Sequence, residues 1–155
     1  MAVTAHLYDN FVSNVLGGMT AGETVRTIDW LSDSIKVMLT TSTYVPNRSI
    51  HKFKSDITNE LPATGGYVAG GTALAGKTIA LDAVNHIMTM DANDTLWAAS
   101  TLTNARIAVI YDDRAAAAAD KELIGYVDFG VDMSSAGVDF TIQWNASGIF
   151  RAIVA

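Results

Sequence analysis

Apolar residues in the opening segment recur at Tyr8, Phe11, Val12, Val15 and Leu16, the stripe of an amphipathic helix. Asp9, Asn10, Ser13 and Asn14 take the opposite face, and Gly17-Gly18 supplies a stop, because glycine enters the left-handed cap conformation without a Cβ clash. From Gly22 the period changes. The stretch from Thr24 to Trp30 alternates imperfectly, and Ile35-Lys36-Val37-Met38-Leu39-Thr40 is apolar enough for a central strand, with Ser32-Asp33-Ser34 turning between them. Pro46 holds Tyr44-Val45-Pro46-Asn47-Arg48 in a loop, after which Ser49 can cap a short helix with Ile50, Phe53 and Ile57 on one face.

Beyond a loop rich in glycine and alanine at 62–76, short apolar runs follow one another. Strands are predicted at 77–81, 86–90, 105–111, 123–129, 138–144 and 149–154. Asp91-Ala92-Asn93-Asp94, Ser134-Ser135-Ala136-Gly137 and Asn145-Ala146-Ser147-Gly148 are turn formers between them. The cleanest alternation is Val138-Asp139-Phe140-Thr141-Ile142-Gln143-Trp144, a strand with one wet face. About eight short strands at this spacing predict a mainly β fold, an antiparallel sandwich or barrel-like domain with an N-terminal amphipathic helix and one short extra helix. The division expected is a helical arm over 1–21 and a single β domain over 22–155. The tract Ala115 to Ala119, between Asp112-Asp113-Arg114 and Asp120-Lys121-Glu122, reads as a surface excursion with room for one helical turn.

Composition narrows the chemistry. The 155 residues are 50% hydrophobic and only 17% charged, where about 25% charged is usual. Few charges on a small domain leave apolar surface either exposed or covered by another chain, and cover by a partner is expected. With no cysteine, disulfides, a thiol nucleophile and Cys-ligated metals are excluded. Ten Lys and Arg against sixteen Asp and Glu, a net charge of -6, argue against binding along a phosphate backbone. The first residues lack the basic and apolar regions of a secretory signal, and no apolar run suits a membrane-spanning helix, so a product soluble in the cytoplasm is expected.

One motif carries chemistry on its face. Gly71-Thr72-Ala73-Leu74-Ala75-Gly76-Lys77-Thr78 matches the phosphate-loop pattern, and Arg106 to Asp112 resembles the apolar strand ending in aspartate that completes such sites. A phosphate loop follows a buried strand and opens a helix. Here a glycine-rich run precedes it, Ile79, Leu81 and Ala83 alternate after it, and no crossover helices are available for a parallel sheet. The match reads as a Gly-rich loop entering a strand. His6, His51 and His86 lie too far apart for a metal motif. Asp112, Asp113, Asp128, Asp132 and Asp139 could in principle supply a carboxylate pair, but they read as solvating residues near strand ends. Trp30, Trp97 and Trp144 read as core. No catalytic, cofactor or metal residue is assigned.

A further set of segments resembles a family. Trp30 to Leu39, Tyr44-Val45-Pro46, His51 to Ile57, Leu74 to Thr78, Trp97-Ala98-Ala99, Ala105 to Asp113, Leu123 to Phe129, Phe140 to Trp144 and Gly148 to Arg151 look like small structural proteins of tailed bacteriophages, over about Trp30 to Ala155. This chain departs from them in its longer N-terminal helix and the alanine insertion at 115–119. The resemblance implies a capsid decoration (cement) protein without enzymatic activity or cofactor, bound to the major capsid protein and to copies of itself as a homo-oligomer on the virion. It implies assembly in the host cytoplasm, with no direct contact to nucleic acid or membrane. A tail or neck component is the first alternative, and a phosphate-loop-like nucleotide-binding protein the second.

Overall fold

The computed structural model describes residues 3–15, 28–114 and 121–153. The order is β1 (Thr4–Leu7), α1 (Asp9–Val15), β2 (Ile35–Thr40), β3 (Thr72–Ala73), β4 (Thr78–Asp82), β5 (Ile87–Asp91), β6 (Thr95–Ser100), β7 (Ala105–Asp112), β8 (Leu123–Met133), β9 (Val138–Ile142) and β10 (Phe150–Ile153). The fold is mainly β, with every strand pair antiparallel. It is built of a five-stranded sheet β1-β8-β7-β2-β3, a three-stranded sheet β10-β5-β4 and a two-stranded ribbon β6-β9. The arrangement is sandwich-like, and no sheet closes into a barrel.

The large sheet is central because its middle strands are apolar on both faces. On β7, Ala108 and Ile110 join one core cluster while Ile107, Val109 and Tyr111 join the other; on β2, Val37 and Leu39 oppose Met38 in the same way. The first cluster lies between the layers, where Met90 of β5, Trp97 of β6, and Phe140 and Ile142 of β9 meet Val37, Leu39, Ile110 and Ile124. Trp30 sits edge-on to Phe150, their ring centroids 5.9 Å apart. The second cluster is covered by Tyr8, Tyr44 and Ile57. Strands buried on both faces read as continuous apolar runs, which is why 35–40 and 105–111 show little alternation.

Three local expectations change. The segment expected to open a helical arm begins as β1, paired with β8 from Thr4 opposite Asp128 to Leu7 opposite Gly125. Helix α1 follows, with Tyr8 and Phe11 buried but Val12 half exposed. The extra helix reduces to a single 3-10 turn, Lys54–Asp56. Ser49 caps no helix: Phe53 stands at the start of the 3-10 turn, Asn47 Oδ1 closes an earlier turn by accepting the backbone N–H groups of Ser49 and Ile50, and Ser49 Oγ donates to Asp9. A strand unforeseen in the sequence, β6, pairs with β9. Leu16 to Thr27, including the expected Gly17-Gly18 stop and most of the 24–30 alternation, lies outside the described residues, as does the tract 115–120.

Candidate functional site

The long strand β8 forms one wall of an open recess. Its beginning, Leu123 and Ile124, is buried in the core, and its continuation carries Val127, Phe129 and Met133 outward past the neighbouring layer. From the other side β9 contributes Val138, Phe140 and Ile142, and the chain leading into β10 contributes Trp144, Ile149 and Phe150. Between them lies a cleft of about 700 Å³ that opens to solvent. Its walls are chiefly hydrophobic. Two of the polar side chains around it are engaged within the protein: Ser135 Oγ donates to the Ser100 carbonyl at 2.8 Å, and Trp144 Nε1 donates to Thr95 Oγ1 at 3.2 Å. Val138 and Met133 stand exposed at its rim.

Asp139 lines the cleft, whereas Asp112, Asp113, Asp128 and Asp132 lie elsewhere and are paired with cations. At the end of β7, Arg114 contacts Asp33 at 2.9 Å, Asp112 at 2.8 Å and Glu122 at 3.0 Å. Beside it Asp113 accepts from Lys36 at 2.6 Å and Lys121 at 2.5 Å. Burial pushes the Asp112 carboxyl above its ordinary value despite Arg114. Burial also works to raise Asp113, but its hydrogen bonds to Lys121 and Lys36 outweigh that and hold it low. Asp128 meets Arg106 at 2.5 Å, with Asp132 at 3.7 Å from the same guanidinium. Asp139 accepts the Ala99 N–H across the ribbon. This arrangement ties strand ends together, and where carboxyls converge they do so on an arginine, Arg114 or Arg106.

The histidines separate in the same way. His6 packs against Tyr126, and His86 occupies the β4–β5 turn in the left-handed region. His51 ends a buried chain in which Tyr8 Oη lies 2.9 Å from Tyr44 Oη, itself 3.0 Å from His51 Nδ1. Because the Asn47 backbone N–H also points at that Nδ1, the nitrogen is an acceptor, so Tyr44 donates to His51 and Tyr8 donates to Tyr44. No group of His, Asp and Glu among the described residues is disposed to hold a metal ion. Trp30 and Trp97 are core residues, and Trp144 is half buried at the cleft.

The phosphate-loop pattern resolves into two strands joined by a turn. Thr72 and Ala73 form β3, Thr78 opens β4, and no helix follows. Gly71 has φ +76, and a Cβ there would sit 1.9 Å from the Val37 carbonyl oxygen, so glycine is required by the approach of this loop to β2. Lys77 donates its Nζ to the Asp33 carbonyl oxygen. Both residues have a structural partner.

No protein family, curated protein or solved structure matches the chain. Among the described residues, no helix is long and apolar enough to cross a membrane. Sequence reasoning did not find the cleft. Its walls come from β8, β9 and the approach to β10, which follow one another in the chain but belong to three different sheets, and the local signal was the apolar series Val138, Phe140, Ile142, Trp144.

Proposed function

We propose that the chain is a non-enzymatic structural protein of a virion, a decoration protein that binds the outer surface of a phage head and strengthens contacts between major capsid subunits. The observation that carries the reading is the open hydrophobic cleft on a protein only 17% charged. Apolar recesses of this size on a small domain mark binding surfaces. The resemblance of the strand segments to small phage structural proteins supplies the setting.

The mechanism is binding without turnover. Each copy buries apolar surface against the shell, and repetition over a lattice multiplies modest contacts. Binding that favours the assembled state stabilises it by mass action, about 2.7 kcal/mol per site when free protein is at 100 times its dissociation constant. The test is mass spectrometry of separated heads and tails from purified particles. Stoichiometric recovery with heads supports the proposal; recovery with tails moves the protein to the tail or neck, and absence from both overturns a virion role. Saturable, Mg²⁺-dependent ATP binding by the purified chain would overturn the non-enzymatic reading.

A further inference from the structure

The three-stranded sheet has an apolar face that runs past the core. Register places Phe150, Met90 and Ile79 in one row across β10, β5 and β4, and Ala152, Met88 and Leu81 in the next. Residues directly opposite in antiparallel strands share a face. The inner members of these rows pack on the core, but cover thins toward the edge: Met90 is 5% exposed, Ile79 45% and Leu81 74%. All of β4 is exposed on both faces.

Edge strands in native proteins carry devices that discourage pairing, such as short length, charge, proline or a bulge. The other edges here have them. Strand β3 spans two residues and β1 four; β10 has four residues with Arg151 among them. In the ribbon, β6 carries an irregular register with Ala99 at φ 45, and β9 carries Asp139. Strand β4, Thr78-Ile79-Ala80-Leu81-Asp82, has none within its apolar centre; its single charge is at the end.

We propose that β4 pairs with β4 of a second copy of this chain, antiparallel about a two-fold axis at Ala80. Among two-fold registers that keep the apolar rows of both copies on one side, this one alone pairs all five residues. Ile79 then faces Leu81 of the copy and Leu81 faces its Ile79, joining the two apolar faces. On the reverse side Ala80 meets Ala80, and each Asp82 meets a threonine, so like charges are not opposed. The two sheets become one continuous six-stranded sheet. Such an isologous contact closes on itself and gives a dimer, not a fibre. It forms between isolated copies, so it stands or falls separately from the virion role.

Because the chain has no cysteine, a single introduced thiol reports this contact alone. In the proposed register the two Ala80 Cα atoms lie about 5 Å apart, within disulfide reach, whereas the two Asp82 ends lie roughly 13 Å apart at 3.3 Å per residue and each Val84 lies beyond them in the turn that leaves β4. The unsubstituted protein is expected to sediment as a dimer at micromolar concentration, and Leu81→Lys as a monomer with an unchanged circular dichroism spectrum. Under mild oxidation Ala80→Cys is expected to cross-link into dimers and Val84→Cys to remain uncrosslinked. A monomeric unsubstituted protein overturns the proposal and leaves β4 to a different chain. A dimer that Leu81→Lys leaves intact, or an Ala80→Cys protein that fails to cross-link, overturns it equally.

Discussion

Arg114 holds its Nε 2.8 Å from Oδ2 of the buried Asp112, while the same guanidinium reaches Glu122, whose side chain is 4% exposed. Two desolvated carboxylates therefore share a cation at the end of the central strand. Removing one partner of a buried ion pair is costly because the remaining charge stays out of water. Arg114→Ala is expected to destabilise the fold by about 3 kcal/mol. Arg114→Lys should recover only part of that, since an ammonium cannot span Asp33, Asp112 and Glu122 as a planar fork does. Urea denaturation midpoints check both.

Acid behaviour follows from the neighbouring pair. Asp113 is held below its ordinary value, so its contribution is present above about pH 4 and is lost as pH falls through the lower folded value. Asp112, raised by burial, acts in the opposite sense: its contribution is present at low pH and fades as pH rises through its folded value. Asp113→Asn should therefore flatten the loss of stability between neutral pH and about pH 3, and Asp112→Asn should steepen it. Equal slopes in both variants would contradict these assignments.

At the alkaline end all five tyrosines act together. Burial pushes the hydroxyls of Tyr8, Tyr44, Tyr67, Tyr111 and Tyr126 above their ordinary value. Raised folded values mean that stability is intact below about pH 10 and lost as pH rises beyond it. Tyrosinate absorbance is expected to appear in one step that coincides with unfolding. Gradual ionisation of a still-folded protein near pH 10 would count against it.

Gly71 and Lys77, the signature positions of the phosphate-loop pattern, should differ sharply in cost. Gly71→Ala meets both a left-handed backbone and the Val37 carbonyl, and should destabilise by about 2 kcal/mol or more. Lys77→Ala forfeits one hydrogen bond to a carbonyl and should cost about 1 kcal/mol or less. Thermal unfolding of the two variants measures the difference.

The cleft makes its own prediction. Val138 is 58% exposed at the rim, so under the proposed virion role Val138→Lys should leave the fold unchanged while reducing recovery with particles by at least about tenfold, the equivalent of 1.4 kcal/mol. Reconstitution of stripped heads with each variant, read by gel densitometry, decides it.

Legibility in the sequence tracked how local the causes were. The apolar runs of β2 and β7 and the alternation of β9 announce themselves, because burial on two faces or one face imposes those patterns directly. Strand β6 hides: its inward positions include Thr95 and Ser100 beside Trp97, and the irregular register at Ala99 breaks the alternation. Strand β1 hides because Thr-Ala-His-Leu is held by its pairing with β8 more than by its own composition. The Ile50, Phe53, Ile57 spacing suggested a helix, but Asn47 closes a turn before one can start. The cleft was illegible because it exists only after β8, β9 and β10 have come together.

The pairing of Thr4 with Asp128 bears on how the polypeptide is made. All of the chain between β1 and β8 must be translated before β1 meets its partner, whereas the hairpin of β4 and β5 can close as soon as it leaves the ribosome. A nascent chain thus carries β1 unpaired while that intervening stretch is made, and contacts so distant in sequence favour slow maturation.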